Sequence, residues 1–535
     1  MATVELRLRA THEVLNQPPP LEGLNTFEAD VPLRDALERE GGGWGVDRAR
    51  DLGWVCGSAE AHEHARRAQR NEPRLVTHDR YGHRVDRVDY DPSWDWLLRL
   101  GVERELPSLP WRDPHPGAHV VRAALFLLLG GVEAGVMCPL SMTYSAVPAL
   151  RRDPELAAEW EPRLTLPDLE RGALAGMAMT EKQGGSDVRA NTTRAEPAGD
   201  GAWELTGHKW FCSHPMCDVF LVLAQAPEGL SCFLVERGPG FEIQRLKDKL
   251  GTRSLASSEV EFRGARGRLL GPEGRGVATI IEMVAHTRLD CILGTAAGMR
   301  RAVAEAVHHA CHREAFGARL VEQPAMRNVL ADLALESEAA TAVALRVARS
   351  YDESEDSTAF RRFATAVVKY WVCKRGAPHA VEALECLGGN GYVEESPLPS
   401  IYRDIQINST WEGSGNVIAL DVLRAMAKDA DAPTAFVEEC ELATGANALL
   451  DDHLAAMRRD LDELAGGGAD PQWGARRLVE RLGLGLQASL LVRHAPPAVS
   501  DAFCAARLGE SRGRAFGTLP HGVDAEPIIA RALAV

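Results

Sequence analysis

The sequence predicts an α+β fold in segregated layers: an N-terminal helical domain, a small central β-barrel or sandwich, a C-terminal helix bundle and an extra helical extension. Three observations carry this prediction. Helical periodicity fills the chain up to about residue 172. Short strand-like runs then crowd together. From about Gly276 long segments return with apolar residues at three- and four-residue spacing. The expected boundaries are 1–172, 173–270, 271–430 and 431–535.

In the first segment, Pro18-Pro19-Pro20 and Gly41-Gly42-Gly43 mark breaks, and Val120 to Met137 is apolar on most faces, as a buried helix would be. The texture changes near Met177. Runs starting at Trp203, Val219, Ser231, Phe241 and Ser258 are rich in β-branched and aromatic residues. Turn signals at Gly199-Asp200-Gly201, Pro227-Glu228-Gly229 and Gly238-Pro239-Gly240 separate several of them. Segments 278–312, 324–350 and 358–388 have bundle periodicity, with a turn at Gly388-Gly389-Asn390-Gly391. The extension is helical, with breaks at Gly466-Gly467-Gly468 and Pro496-Pro497.

Composition bounds the function. The 535 residues exceed one ordinary core, and 45% hydrophobic with 25% charged residues is a globular balance. A formal net charge of −16 disfavours non-specific nucleic-acid binding. Eleven scattered cysteines without a C-x-x-C pair fit a reducing compartment. No signal-peptide pattern or membrane-length apolar run is seen, so a cytoplasmic protein is expected. A Walker loop and a strand-G-x-G-x-x-G-helix are both missing, which argues against a Rossmann site.

Three segments stand out chemically. Met177-Ala-Met-Thr-Glu-Lys-Gln-Gly-Gly-Ser-Asp187 offers Thr180 and Ser186 hydroxyls and a Gly184-Gly185 backbone that a flat ligand or phosphate could approach. Taken alone, such a loop is more often a plain turn. His208-Lys-Trp-Phe-Cys-Ser213 places Phe211 and Ser213 on one strand face and Cys212 on the other. That ring and hydroxyl could flank an aromatic cofactor or simply sit in a core. In Asn408-Ser-Thr-Trp-Glu-Gly-Ser-Gly-Asn416, Glu412 lies between Trp411 and a glycine. A carboxylate in such a dry pocket suits a general base.

Together, in this order, these motifs resemble the acyl-CoA dehydrogenase superfamily, and most closely its adaptive-response (AidB) subgroup. Leu246-Lys-Asp-Lys-Leu-Gly251 and Asn16-Gln-Pro18 extend the likeness. The resemblance covers nearly the whole chain and is weakest after about residue 430. It implies bound FAD, an acyl substrate that includes CoA thioesters, and a homotetramer. By motif, Met177, Met179, Thr180, Gly185 and Ser186 would form the first flavin loop, with Ser186 also reaching substrate. Phe211, Cys212 and Ser213 would line the ring near N5. Thr410, Trp411, Gly413, Ser414, Gly415 and Asn416 would close over it. Arg313 and Phe316, in His312-Arg-Glu-Ala-Phe-Gly317, would hold the pyrophosphate and adenine of a neighbouring subunit's FAD. Glu412 would remove the substrate α-proton while the β-hydrogen leaves as hydride to flavin N5, with Arg288 as a substrate-side residue. Thr287 occupies the family's second location for this carboxylate. Two glutamines common in the family are replaced by Pro324 and Glu385, which marks a branch away from β-oxidation enzymes.

The same resemblance implies two alternatives: a DNA-protective flavoprotein with weak dehydrogenase activity, and a flavin oxidase or oxygenase acting on a non-CoA substrate. The extension speaks to the first. Its arginines (458, 459, 476, 477, 481, 493, 507, 512, 514 and 531) are accompanied by more acids, which disfavours a DNA clamp. The helical histidines His308, His309 and His312 lack an H-E-x-x-H glutamate, and no metal site is expected. Gly483 and Gly485 are read as a close helix contact.

Overall fold

The computed structural model describes residues 11–353, 357–465, 470–510 and 513–534. The turn glycines Gly466, Gly467 and Gly468, and Arg512, therefore fall outside the described residues.

The first domain is helical, but it also holds an antiparallel hairpin, Arg74–His78 with Arg84–Asp89, that the periodicity did not show. Both strands are short and largely solvent-facing, so they carry little apolar alternation. The apolar stretch from Val120 is not one helix. Ala118–Gly130 ends at Gly131, and a second buried helix begins at Met137. The Glu133 carboxylate accepts the Val136 amide between them. The fully buried Arg122 grips Asp290 of the long helix Gly276–His312 through both guanidinium arms, while its cation lies 3.8 Å from the Tyr144 ring centre.

The central strands settle the choice between barrel and sandwich. Val219–Ala226 pairs with Gly229–Glu236, which pairs with Ser257–Leu270. That strand pairs with Ala202–Ser213, which pairs with Arg194–Gly199, and a parallel bridge from Arg194 to Gln225 returns to the first. The ring is closed, so the β domain is a small barrel. Ala175–Ala178 and Phe241–Leu246 are added at its sides. Phe220, Phe233, Phe241 and Phe262 are buried in it.

The helices Gly276–His312, Pro324–Arg349 and Thr358–Cys386 match the three long periodic segments, and Gly415–Lys428 packs beside the last. The expected turn at Gly388 leads into a one-turn helix, Gly389–Tyr392. The extension docks on this bundle through helix Pro471–His494. A Cβ at Gly483 would lie 2.8 Å from the Trp371 ring atoms, so the glycine there is required by close approach. The Trp371 indole donates to Gln487 at 2.8 Å.

Three arginines of the extension, Arg507, Arg531 and Arg476, fasten the seam, and the others tie the extension to itself. Arg507 pairs with Asp332 and Glu336, Arg531 with Glu338 and Asp35, and Arg493 with Glu439. Arg458 pairs with Glu441, Arg477 and Arg481 with Asp460, and Arg476 donates to the Tyr370 hydroxyl. The Arg507 guanidinium is thereby engaged inside the protein.

Candidate active site

A cleft of about 2370 Å³ runs between the barrel, the first domain and the bundle. That exceeds an ordinary ligand pocket, roughly 300–1,000 Å³, and leaves room for a large cofactor and a substrate together. Its wall is built from all three sequence segments.

The first contributes Met177, Met179, Thr180, Gly185 and Ser186. The loop is folded tightly: Gly184 has φ of +144°, and a Cβ at Gly185 would lie 2.4 Å from the Thr180 hydroxyl. Beneath it lies a pair that sequence reasoning passed over, although both residues stand in quoted motifs. Glu181 and Lys209 are fully buried and bond at 2.9 Å. Lys209 also donates to the Leu223 carbonyl at 2.7 Å. Burial would raise the Glu181 carboxyl, but Lys209, the Thr192 amide and Thr193 outweigh it and bring it down to about 2. This pair and the Trp210 amide, which donates to the Thr180 carbonyl at 2.8 Å, join the loop to the second segment. The Trp210 bond is a backbone contact.

In that second segment the pairing register slips by one residue between Lys209 and Cys212. A β-bulge of this kind re-aims side chains. Phe211 and Ser213 line the cleft. Phe211 is 49% exposed, so an aromatic face stands open to whatever enters. Cys212 does not join them. Its side chain is fully buried on the other strand face, which corrects its assignment to the ring-lining set.

The third segment contributes Thr410, Trp411, Glu412, Gly413 and Ser414 to the wall. Gly415 is buried against Lys374, and Asn416 is exposed on the helix that follows; neither lines the cleft. Glu412 has φ of +59°, and its Oε2 is buried with no hydrogen-bond partner. Burial raises its pKa above the ordinary value; the nearby Thr287 hydroxyl and the charges of Arg288 and Lys369 oppose that rise. Thr287, at the alternative carboxylate position, donates its hydroxyl to the Val284 carbonyl at 3.1 Å. Arg288 reaches the cleft, but its Nε donates to the Glu412 carbonyl at 3.0 Å and its Nη1 to Asp421 at 2.7 Å.

Arg313 and Phe316 lie away from this wall. Arg313 donates to the Asn16 carbonyl, and Asn16 exchanges bonds with Glu314, so the Asn16-Gln-Pro18 segment docks on this turn. Phe316 stands at its tip, φ +53° and 100% exposed.

The sequence also missed a polar stretch of the wall. Lys249 lines it, donates to the Leu255 carbonyl, and is brought by burial to about 8. Nearby, burial together with the Glu133 charge brings Asp404 to about 7 against bonds from Thr252 and Ser400. Lys249 lies within Leu246-Lys-Asp-Lys-Leu-Gly251; Asp404 carries no local sequence signal. His308 bonds to the Pro19 carbonyl, and among the described residues no group of three potential metal ligands is assembled.

Family models match the chain in three consecutive pieces. Residues 16–171 match the adaptive response protein AidB N-terminal domain, 176–265 the acyl-CoA dehydrogenase middle domain, and 274–427 the acyl-CoA dehydrogenase C-terminal domain. AidB of Escherichia coli K12 is 42% identical over 522 residues, covering 94% of this chain and 95% of that protein. The chain belongs to the acyl-CoA dehydrogenase family. Its AidB-type N-terminal domain places it in that subgroup. Acyl-CoA dehydrogenase family member 11 of Caenorhabditis elegans is 32% identical over 435 residues, 76% of this chain and 70% of that protein. The solved structure of Caenorhabditis elegans ACDH-11, in complex with C11-CoA, superposes with a TM-score of 0.86 at 26% identity, covering 99% of this chain and 95% of that one. The extension of this acyl-CoA dehydrogenase family member is thus part of a shared architecture. Among the described residues no helix is long and apolar enough to cross a membrane.

Proposed function

We propose that this protein is an FAD-dependent dehydrogenase of acyl thioesters in which Glu412 is the general base. The observation that carries this is the Glu412 carboxylate: it stands in the wall of a cleft large enough for cofactor and substrate, with one oxygen buried and unpartnered.

The residues present fit the cofactor. Phe211 offers an open aromatic face, and Thr180, Ser186 and Ser213 offer hydroxyls around the same cleft. FAD, when bound, supplies the hydride acceptor for the substrate's β-hydrogen. The chain's own part is to orient the acyl group and to hold the proton that leaves its α-carbon. Glu412 suits that task, because burial raises its affinity for a proton toward the working range of a base. Arg313 and the exposed Phe316 suit contact with a second copy of the chain, in keeping with a tetramer.

Two features argue against a duplex-binding face on the extension. Most of its arginines are engaged in pairs within the protein, and the overall charge is −16. The test is an anaerobic titration with acyl-CoAs of graded length and branching, read by flavin absorbance. Bleaching by one or more members is expected. A yellow protein that none of them bleaches would overturn the reading.

A further inference from the structure

A glutamate at φ +59° occupies the left-handed region, a strained conformation for a residue with a side chain that persists only where the surroundings over-determine it. Here the surroundings are two cations. The Lys369 ammonium donates to the Trp411 carbonyl at 3.0 Å and to the Gly413 carbonyl at 2.5 Å. Between them, the Glu412 carbonyl accepts from Arg288 at 3.0 Å. Three successive carbonyls are thus drawn onto two positive charges, and the side chain of the middle residue is left facing the cleft.

Lys369 is an unusual choice for its position. It lies on helix Thr358–Cys386 amid Val367, Val368 and Trp371, and is 1% exposed. Among the described residues no carboxylate forms an ion pair with it. Burying an ammonium without a paired carboxylate is costly, so fold stability alone does not account for a lysine here. Its bonds account for it: both go to the peptide groups that flank Glu412.

We infer that Lys369 is a positioning residue for Glu412, holding the Trp411–Gly413 turn in the left-handed form that presents the carboxylate to the substrate. This rests on the dehydrogenase reading above. Lys369 acts in a second way through its charge, which helps keep the buried carboxyl ionisable. Removing the charge raises the proton affinity of Glu412 further, so the acid limb of the rate moves to higher pH.

The experiment compares Lys369→Met and Lys369→Arg in the full-length FAD-loaded protein, with Lys369→Gln beside them in case the methionine variant does not fold. Two readouts are taken. The first is the pH profile of flavin bleaching by the best acyl-CoA. A loss of about 100-fold is expected for the neutral variants, as for a small misplacement of a reacting group. Their acid limb shifts upward, and Lys369→Arg recovers part of both. The second is a crystal structure of a neutral variant, in which Glu412 is expected to leave the left-handed region. A neutral variant that keeps the Glu412 backbone and the wild-type pH limb would overturn the inference, even with a lower melting temperature. A wild-type protein that no acyl-CoA bleaches would instead strike the dehydrogenase reading, and the crystal comparison would still decide the role of Lys369.

Discussion

Two glutamates, Glu412 in the cleft with one carboxylate oxygen buried and Glu336 buried in the seam between bundle and extension, have opposite fates. Burial raises both carboxyls. At Glu336 the guanidinium groups of Arg375 and Arg507 outweigh it, through bonds of 2.9–3.0 Å, and bring the carboxyl down to about 2. At Glu412 a hydroxyl and two cations, Arg288 and Lys369, offset only part of it. Those cations bond to backbone carbonyls and to Asp421, not to the carboxylate. Depth of burial therefore does not set the role of a carboxylate. What matters is whether the neighbouring donors are spent on its oxygens or on the chain beside it.

The largest effect is expected at the base. Glu412→Gln is expected to slow flavin reduction by about 10²–10⁴-fold in stopped-flow measurements, while stability holds or rises slightly. Unchanged bleaching would remove Glu412 from the mechanism.

Glu336→Gln should do the reverse. It leaves Arg375 facing a neutral amide and Arg507 with Asp332 as its remaining carboxylate, and breaking a buried pair of this kind costs about 3–5 kcal/mol. Denaturant unfolding checks the loss, and flavin reduction by the folded fraction should be unchanged. A smaller effect is expected at the same seam from Gly483→Ala, whose new Cβ meets the Trp371 ring. Overpacking there costs roughly 1–3 kcal/mol, visible as a lower melting temperature with normal bleaching.

The smallest effects are those of pH, and for the two glutamates their signs oppose. The Glu336 contribution to stability is complete above its ordinary value of 4.5 and disappears as pH falls toward about 2. Glu412, raised in the folded state, favours folding most at pH below 4.5 and loses that contribution as pH climbs through its raised value. The bleaching rate rises over that same climb, because the base must be ionised. An acid limb at or below 4.5 would contradict the raised proton affinity.

Most of the architecture was legible because it rests on local pattern. Three long helical periodicities and a dense run of turn-separated strands locate bundle and barrel without any contact being known. The hairpin at Arg74–Asp89 escaped because strands that lie on the surface carry no apolar alternation. The break after Gly130 escaped because both flanking helices are apolar all round. At the site, motif order brought Thr180, Phe211 and Glu412 into view. Period-two reasoning placed Cys212 behind the strand even though the motif carried it into the ring-lining set.

By itself the sequence pointed to the order of domains, the three segments that help wall the cleft and Glu412 in that wall, since each is written in contiguous residues. Only the tertiary structure decided that the strands close into a barrel, that Arg507, Arg531 and Arg476 of the extension are spent on the bundle while Arg458, Arg477, Arg481 and Arg493 pair within the extension, and that Lys369 and Arg288 bond to the turn carrying Glu412. These partners lie far apart along the chain, and whether a buried charge is matched by a carboxylate or by a peptide carbonyl depends on which groups folding brings within bonding distance.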